Sequence, residues 1–359
     1  MDALLAKIGI RLPIIQAPMA GVSTPEMAAA VSNAGGLGSI GVGAQTASLA
    51  REMIIATQKL TSNSINVNVF CHQPAVPDAE REAKWLAYLA PFFEKFNMEP
   101  PERLNEIYKS FLVDEEMLEL LCELRPKVVS FHFGLPSEDK IASLKSSGIT
   151  LLSTATNLLE ALAAQGAGVD AIVAQGYEAG GHRGMFDPNA IDDELGTLAL
   201  TRWLVANLDI PVISAGGVMD GAGIAACLDL GAAAVQLGTA FVACPESAAD
   251  EFYRAAMLSE AAMHTTMTRA ISGRPARCLA NVFTAIGRET VSTAIPSYPI
   301  AYDAGKALNA AAKKAGEGGY GAQWAGQGAP LTRPLPAAEL VALLEAEMAA
   351  VRKLDSSVR

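Results

Sequence analysis

Short apolar runs recur through the first two thirds of the chain, at residues 12–16, 37–40, 65–70, 127–131, 149–153, 171–174, 211–214 and 233–237. Their length and β-branched content suit buried strands. Between most of them lie segments with helical spacing, predicted over 24–34, 46–60, 114–124, 137–147, 157–165, 195–207 and 221–230. The first of these shows the start signals plainly: Thr24 as cap, Pro25 at the first helical position and Glu26 in the first turn. Eight strands alternating with helices predict an α/β protein, either a closed (β/α)8 TIM barrel or an eight-stranded doubly wound sheet. Polar punctuation favours the barrel. Gln16-Ala17-Pro18-Met19, Asn66-Val67-Asn68, His132-Phe133-Gly134, Thr154-Ala155-Thr156, Gln175-Gly176, Ala215-Gly216-Gly217 and Gly238-Thr239 each follow a strand. Polar sequence at so many strand ends suits one barrel mouth, whereas an open sheet would concentrate it at a switch point.

Two stretches break the alternation. Residues 74–110, with Trp85, Phe92, Phe93 and Tyr108, read as an irregular insert after the third strand. Beyond Phe241, residues 264–289 look extended and turn-rich, 304–314 helical, 316–330 a Gly-rich loop and 337–351 an amphipathic helix. The expected organisation is a barrel over 1–245, carrying the insert at about 74–112, with an extension over 246–359 folded back on it.

Composition narrows the function. At 51% hydrophobic and 18% charged residues over 359 positions, the chain can bury enough surface to fold. Every apolar run is too short or interrupted to span a bilayer, and the start, Met1-Asp2-Ala3-Leu4-Leu5-Ala6-Lys7, lacks a secretion signal. Five scattered cysteines without a CxxC pair fit reduced thiols, so a cytoplasmic protein is expected. A net charge of −11 argues against nucleic acid and anionic membranes as partners. Four histidines without a carboxylate cluster do not make a metal site.

Gly36-Leu37-Gly38-Ser39-Ile40-Gly41 has the spacing of a dinucleotide-binding fingerprint, but here a helix precedes the glycines and no acidic residue follows at the required distance. They read as structural. Ser214-Ala215-Gly216-Gly217-Val218 and Gln236-Leu237-Gly238-Thr239 follow the seventh and eighth strands, where glycine loops commonly hold a phosphate. That phosphate could belong to a substrate or to a flavin nucleotide. Gln175-Gly176-Tyr177-Glu178-Ala179-Gly180-Gly181-His182-Arg183-Gly184 leaves the sixth strand and sets His182 among glycines at the mouth. Glu178 and Arg183 could touch a ligand or pair with neighbours. His132 ends the fourth strand, and Asn66 and Asn68 share a face of the third. His72 and His264 have no comparable setting and read as structural or surface residues.

Gln16-Ala17-Pro18-Met19-Ala20-Gly21, Asn66-Val67-Asn68-Val69-Phe70, His132-Phe133-Gly134 and the Gln175–Gly184 segment resemble the motifs of nitronate monooxygenases, formerly 2-nitropropane dioxygenases. The resemblance extends in order through Gly216-Gly217 and Gln236-Leu237-Gly238-Thr239. His132-Phe133-Gly134, Tyr298, Tyr302 and Lys306 resemble the class I enzymes in particular. The glycine–histidine loop is shared with flavin-dependent enoyl-ACP reductases and NADH:quinone reductases. The resemblance implies an FMN-containing barrel, with FMN held by Ala17, Met19, Asn68, Gln175, Gly180, Gly181, Ala215, Gly216, Gly217, Gln236, Leu237, Gly238 and Thr239. It implies His182 as the catalytic residue, with His132, Tyr108, Tyr298, Tyr302 and Lys306 around the substrate, so that the C-terminal segment contributes to the pocket. The reaction implied is oxidation of an alkyl nitronate, typically propionate 3-nitronate, with O2 to an aldehyde or keto acid plus nitrite and nitrate. The alternative is an NAD(P)H-dependent FMN reductase acting on quinones or enoyl thioesters. A monomer or homodimer is expected. Because a nitronate is an anion, His182, His132 and Lys306 are expected to supply local positive charge.

Overall fold

The computed structural model describes residues 3–288 and 294–357, with side chains described through residue 351. Its parallel strands are β1 (Ile14–Gln16), β2 (Gly38–Gly41), β3 (Ile65–Phe70), β4 (Val128–His132), β5 (Thr150–Ala155), β6 (Ala171–Gln175), β8 (Val212–Ala215) and β9 (Ala234–Leu237). They lie in the order β1-β9-β8-β6-β5-β4-β3-β2, while β7 (Gly181–His182) belongs to a separate small sheet. An Ile15–Leu37 bridge joins the two ends, with the Leu37 N–H donating to the Ile14 carbonyl at 2.9 Å. The sheet is therefore a closed (β/α)8 barrel, and the doubly wound alternative falls away. Helices begin where the sequence signals them. Thr24, Thr46, Asp114, Ser137, Asn157 and Asp220 each accept a first-turn N–H through the side chain, satisfying a donor the helix leaves open.

Alternation along each strand sorts the core into two shells. Ile65, Val67 and Val69 pack outward with Val129, Phe131, Ile172 and Ala174 against the surrounding helices. The opposite positions turn inward, where Val128, Leu152, Ala171, Val173, Ile213 and Ala234 fill the lower barrel. Leu4, Leu5 and Ile8 of the helix Ala3–Ile8 pack against that set and close the bottom. Higher up, the inward parity becomes polar, with Asn68, Ser130, His132, Thr154, Gln175 and Gln236 around the mouth. The barrel is thus oily at its floor and hydrogen-bonding at its rim.

The two irregular stretches form one cap. The insert is not irregular throughout, because Ala79–Glu94 is a helix capped by Asp78. Trp85, Leu89 and Phe93 recur every fourth residue and, with Leu86, make its buried stripe; Pro91 and dense charge hide that spacing. The stripe packs against Ile300, Ala304, Leu308 and Ala312 of the helix Ile300–Lys314, joined by Phe283, Ile286 and Tyr320. The stretch read as extended over 264–289 holds the antiparallel strands β10 (Thr265–Thr268) and β11 (Ala276–Leu279), then a helix, Val282–Arg288. Residue 289 lies outside the described residues. The final helix, Ala337–Ser357, inserts Leu340, Val341, Leu344 and Met348 between Met27, Val31 and Ile224 of two barrel helices. The ring of barrel helices therefore closes with a helix from beyond residue 245, and the segment between β9 and that helix forms the C-terminal part of the cap.

The glycine run at 36–41 is structural. A Cβ on Gly38 would lie 1.8 Å from the Ala28 carbonyl oxygen, so the helix Pro25–Asn33 rests directly on the strand backbone. Gly38→Ala should lower stability by about 3 kcal/mol or more through overpacking. A urea midpoint equal to that of the wild type would refute this reading.

Candidate active site

Over the C-terminal ends of the strands lies a cavity of about 530 Å³, roofed by the cap. It gathers the residues singled out from the sequence: Ala17 and Met19 after β1, Asn68 on β3, His132 on β4, Gln175 on β6, Ala215–Gly217 at the end of β8 and Gln236–Thr239 at the end of β9. Gly180, Gly181 and His182 enter from the loop after β6; Tyr108, Tyr298, Tyr302 and Lys306 descend from the cap.

One wall is built from backbone. Gly216 and Gly217 have φ of 130° and 70°, a region other residues rarely adopt. Among the described residues, neither the Gly217 nor the Gly238 N–H meets a protein acceptor. A Cβ on Gly217 would lie 3.1 Å from Cβ of Glu178, and one on Gly238 would lie 3.3 Å from Cβ of Ala17. Unclaimed N–H groups with no side chain over them suit a phosphate. Beside them, Asn68 commits its amide nitrogen to the Ser130 carbonyl and hydroxyl at 3.0 and 2.9 Å, leaving its oxygen for the cavity. Unclaimed backbone N–H groups beside a free amide oxygen are groups that a flavin nucleotide would use.

Gln175 has a different part. Its Nε2 donates to the His182 carbonyl at 2.9 Å and its Oε1 accepts the Gly184 N–H at 2.7 Å, so its amide clamps the loop. His132 is similarly occupied, with Nδ1 on Thr154 Oγ1 at 3.1 Å and Nε2 on the His182 carbonyl at 3.3 Å. It lines the cavity, but both ring nitrogens are in use. Asn66 lies one layer deeper, donating to Ser39 Oγ at 3.2 Å. Glu178 and Arg183 do not line the cavity. Glu178 accepts the Thr197 N–H and hydroxyl at the start of the helix Thr197–Asn207, and Arg183 pairs with Asp192 at 2.7 Å.

His182 does not sit in a free loop. Gly181, at φ 76°, turns the chain so that β7 (Gly181–His182) pairs with β11 on the edge of the cap hairpin. A two-residue strand has no periodicity for sequence to reveal. His182 Nε2 meets Ser272 Oγ at 2.8 Å, which leaves Nδ1 as the ring nitrogen without a protein partner. Around the imidazole stand Trp324, Tyr298, Phe133 and Tyr302, with ring centroids 4.9, 5.4, 5.7 and 6.1 Å away. Phe133 holds a φ of 75°, a conformation that costs a non-glycine residue about 1–3 kcal/mol. Behind it, His72 packs edge-on to Tyr298 at 5.0 Å. Sequence reading passed over Trp324 and Ser272, because neither belongs to a strand-end motif, whereas His72, read as structural or surface, is buried and does not line the cavity.

Burial sets the protonation states. Desolvation holds His182 well below the ordinary histidine value, helped by His132, Arg274 and His72. It brings His132 and His72 down to about 4, with Arg274 adding to both. The histidines are therefore neutral at pH 7 and do not supply the positive charge expected from the sequence. Desolvation raises the Tyr302 hydroxyl to about 12 and holds Tyr298 well above the ordinary phenol value, so both remain donors. Lys306 stands at the exposed rim, its ammonium 4.9 Å from the Tyr108 ring and 5.4 Å from that of Tyr302.

A nitronate monooxygenase family model matches residues 2–347. The chain belongs to the nitronate monooxygenase family. Its members are flavin-dependent, and this chain is an oxidoreductase of that family. It is 64% identical over 346 residues to a nitronate monooxygenase of Paraburkholderia phytofirmans, covering 96% of this chain and 94% of the relative. A nitronate monooxygenase of Pseudomonas aeruginosa is 52% identical, with 97% and 99% covered. Among solved structures, a nitroalkane oxidase from Streptomyces ansochromogenes aligns with TM-score 0.88 at 38% identity, over 98% of this chain and 99% of that one. FabK from Thermotoga maritima aligns with TM-score 0.74 at 28% identity, over 99% of both chains. Among the described residues, no helix is long and apolar enough to cross a membrane.

If Gly217 and Gly238 cradle the flavin phosphate, Gly217→Leu and Gly238→Leu should purify folded but depleted of cofactor. The assay is the ratio of flavin to protein absorbance. Full occupancy in both variants would remove the cradle from this wall.

Proposed function

We propose that this family member binds FMN and uses O2 to oxidise alkyl nitronates, propionate 3-nitronate foremost, to an aldehyde or keto acid with nitrite and nitrate. The observation that carries the reading is His182. It is a neutral imidazole fixed through one nitrogen by Ser272, with the other left for a ligand in a cavity that has a glycine cradle along one wall. FMN, when bound, supplies the electron acceptor and the route of electrons to O2.

The chain's own residues do the rest. Gly217 and Gly238 would hold the phosphate through backbone N–H groups, and Asn68 would accept from the flavin or its ribityl chain. Tyr298 and Tyr302, kept protonated, can donate to nitronate oxygens, and Lys306 at the rim meets the anion as it enters. A nitronate arrives already deprotonated, so His182 need only orient it and stabilise the charge as it shifts. A neutral nitroalkane would need its α-proton moved to His182 Nδ1, which neutral imidazole can accept. The surrounding rings exclude water from that transfer. FabK shares this scaffold, and NAD(P)H-dependent reduction remains the competing chemistry. Anaerobic mixing separates the two. Nitronate should bleach the flavin without any nicotinamide, whereas rapid bleaching by NADH or NADPH would assign the protein to the reductases.

His182→Asn should retain FMN, because its backbone carbonyl still receives Gln175 and His132. Its kcat/KM should fall by about 10²–10³, as when one preorganised donor is lost. Neutral nitroalkanes should lose more than nitronates, having lost a proton acceptor as well. In the wild type, a group whose pKa is lowered stays in its basic form as pH falls, so kcat/KM for a neutral nitroalkane should hold level through 6.5 and decline only well below it. An acid limb near 6.5, or wild-type rates in a fully loaded His182→Asn, would remove His182 from this role.

A further inference from the structure

The cationic charge that acts on His72, His132 and His182 alike belongs to a residue outside the cavity lining. Arg274 lies in the turn joining β10 to β11 and is only 3% exposed. Its Nη2 donates to the Met185 carbonyl, its Nε has no partner, and it makes no ion pair among the described residues. The carboxylates that act on it from a distance are occupied elsewhere. Glu160 accepts from Thr156 and Phe186, and Asp187 from the Asn189 N–H. An arginine buried without a carboxylate is costly to the fold, so its charge has been left unneutralised at this place.

Its position relative to the cavity is defined by Phe133. The guanidinium carbon lies 4.2 Å from the centre of the Phe133 ring and 6.0 Å from that of Tyr298. Phe133 lines the cavity and meets the His182 ring at 5.7 Å, so the charge lies no further than about 10 Å from His182. The same turn carries Ser272, which holds His182 Nε2. Gly273, between them, has φ 93°, and a Cβ there would meet Pro296 O and Tyr298 N at 2.6 Å. One turn thus sets both the imidazole and the cation, with an aromatic ring keeping the cation from contact with ligand.

We infer that Arg274 is a positioning residue that fixes a positive field behind Phe133 and so selects anionic substrates over their neutral conjugate acids. This rests on the nitronate reading of the cavity. The groups facing the guanidinium are Tyr298, Arg269, Glu160 and Asp187, and the histidines that feel it are His72, His132 and His182. Its charge opposes protonation of all three, which agrees with their being neutral. A unit charge about 10 Å away at an effective dielectric of about 20 changes the binding of an anion by about tenfold or somewhat more.

The test uses the flavin-loaded enzyme and sodium nitrate as a non-reacting planar anion, titrated calorimetrically. Arg274→Met should weaken nitrate about tenfold and raise KM for a nitronate similarly, with kcat little changed. KM for the neutral form of the same nitroalkane should stay within about twofold. Arg274→Lys, which keeps the charge, should restore nitrate affinity to within about threefold of wild type. Nitrate affinity unchanged in Arg274→Met, or lost equally in Arg274→Lys, overturns the inference. Should Arg274→Met fail to hold flavin, Asp187→Asn decides with Arg274→Lys. Removing that distant negative charge must tighten nitrate, and no change or a weakening overturns the inference equally. Nitrate affinity that follows Arg274 in a protein unable to oxidise nitronates would leave the charge assignment standing and sink only the proposed function.

Discussion

One side-chain amide determines where the functional loop can lie. Gln175 ends β6 facing into the barrel, and its oxygen and nitrogen grip Gly184 and the His182 carbonyl. Because both polar atoms of the amide are engaged, the loop between them cannot slide without leaving a buried donor or acceptor unpaired. The His132 ring bonds to the same carbonyl, tying β4 into the arrangement. The loop also runs too close to its surroundings for side chains. A Cβ on Gly180 would meet Gly326 N at 2.5 Å, and one on Gly184 would meet Thr154 Cγ2 at the same distance. The placement of His182 against Ser272 and the cap rings follows from this clamp.

The electrostatics resolve an apparent conflict between a chain of charge −11 and a cavity suited to anions. Carboxylates close to the mouth are already committed. Glu178 serves the helix at Thr197, Asp192 serves Arg183, Glu160 serves two backbone N–H groups, and Asp250 pairs with Lys313. What reaches the ligand is backbone N–H, phenol, neutral imidazole and the rim ammonium. Excess negative charge stays on the outer surface, where solvent and salt screen it.

The barrel was legible in the sequence because the strands are buried on both faces and most are followed by a helix with its own start signal. Thr24 needed no tertiary information to be read as a cap. The glycine-bearing loops were placed at the mouth for the same local reason, since Gly216-Gly217 and Gly238 follow the last two barrel strands. The cap was not. Trp85, Leu89 and Phe93 make a stripe only once the helix Ile300–Lys314 covers it, more than 200 residues away along the chain. Ser272 and Arg274 gain meaning only when a hairpin turn is brought beneath His182, an arrangement with no periodic trace. The protonation states were illegible too, because a histidine shifts with the depth of its burial and sequence carries no direct record of depth.

This division also says where selectivity can reside. Strand ends supply the glycine wall and the clamp, and both are tied into the barrel core through the ladder. Tyr298, Tyr302, Lys306 and Trp324 come instead from the cap, whose own core of Trp85, Leu89, Phe93, Ile300 and Leu308 is separate from the barrel's. Changes in the cap's packing can therefore move the aromatic roof without disturbing the wall suited to a cofactor. A scaffold of this kind can keep one flavin site while the roof decides which molecule is admitted above it. Such independence accounts physically for the likeness of FabK, at TM-score 0.74, to a chain that belongs to the nitronate monooxygenases.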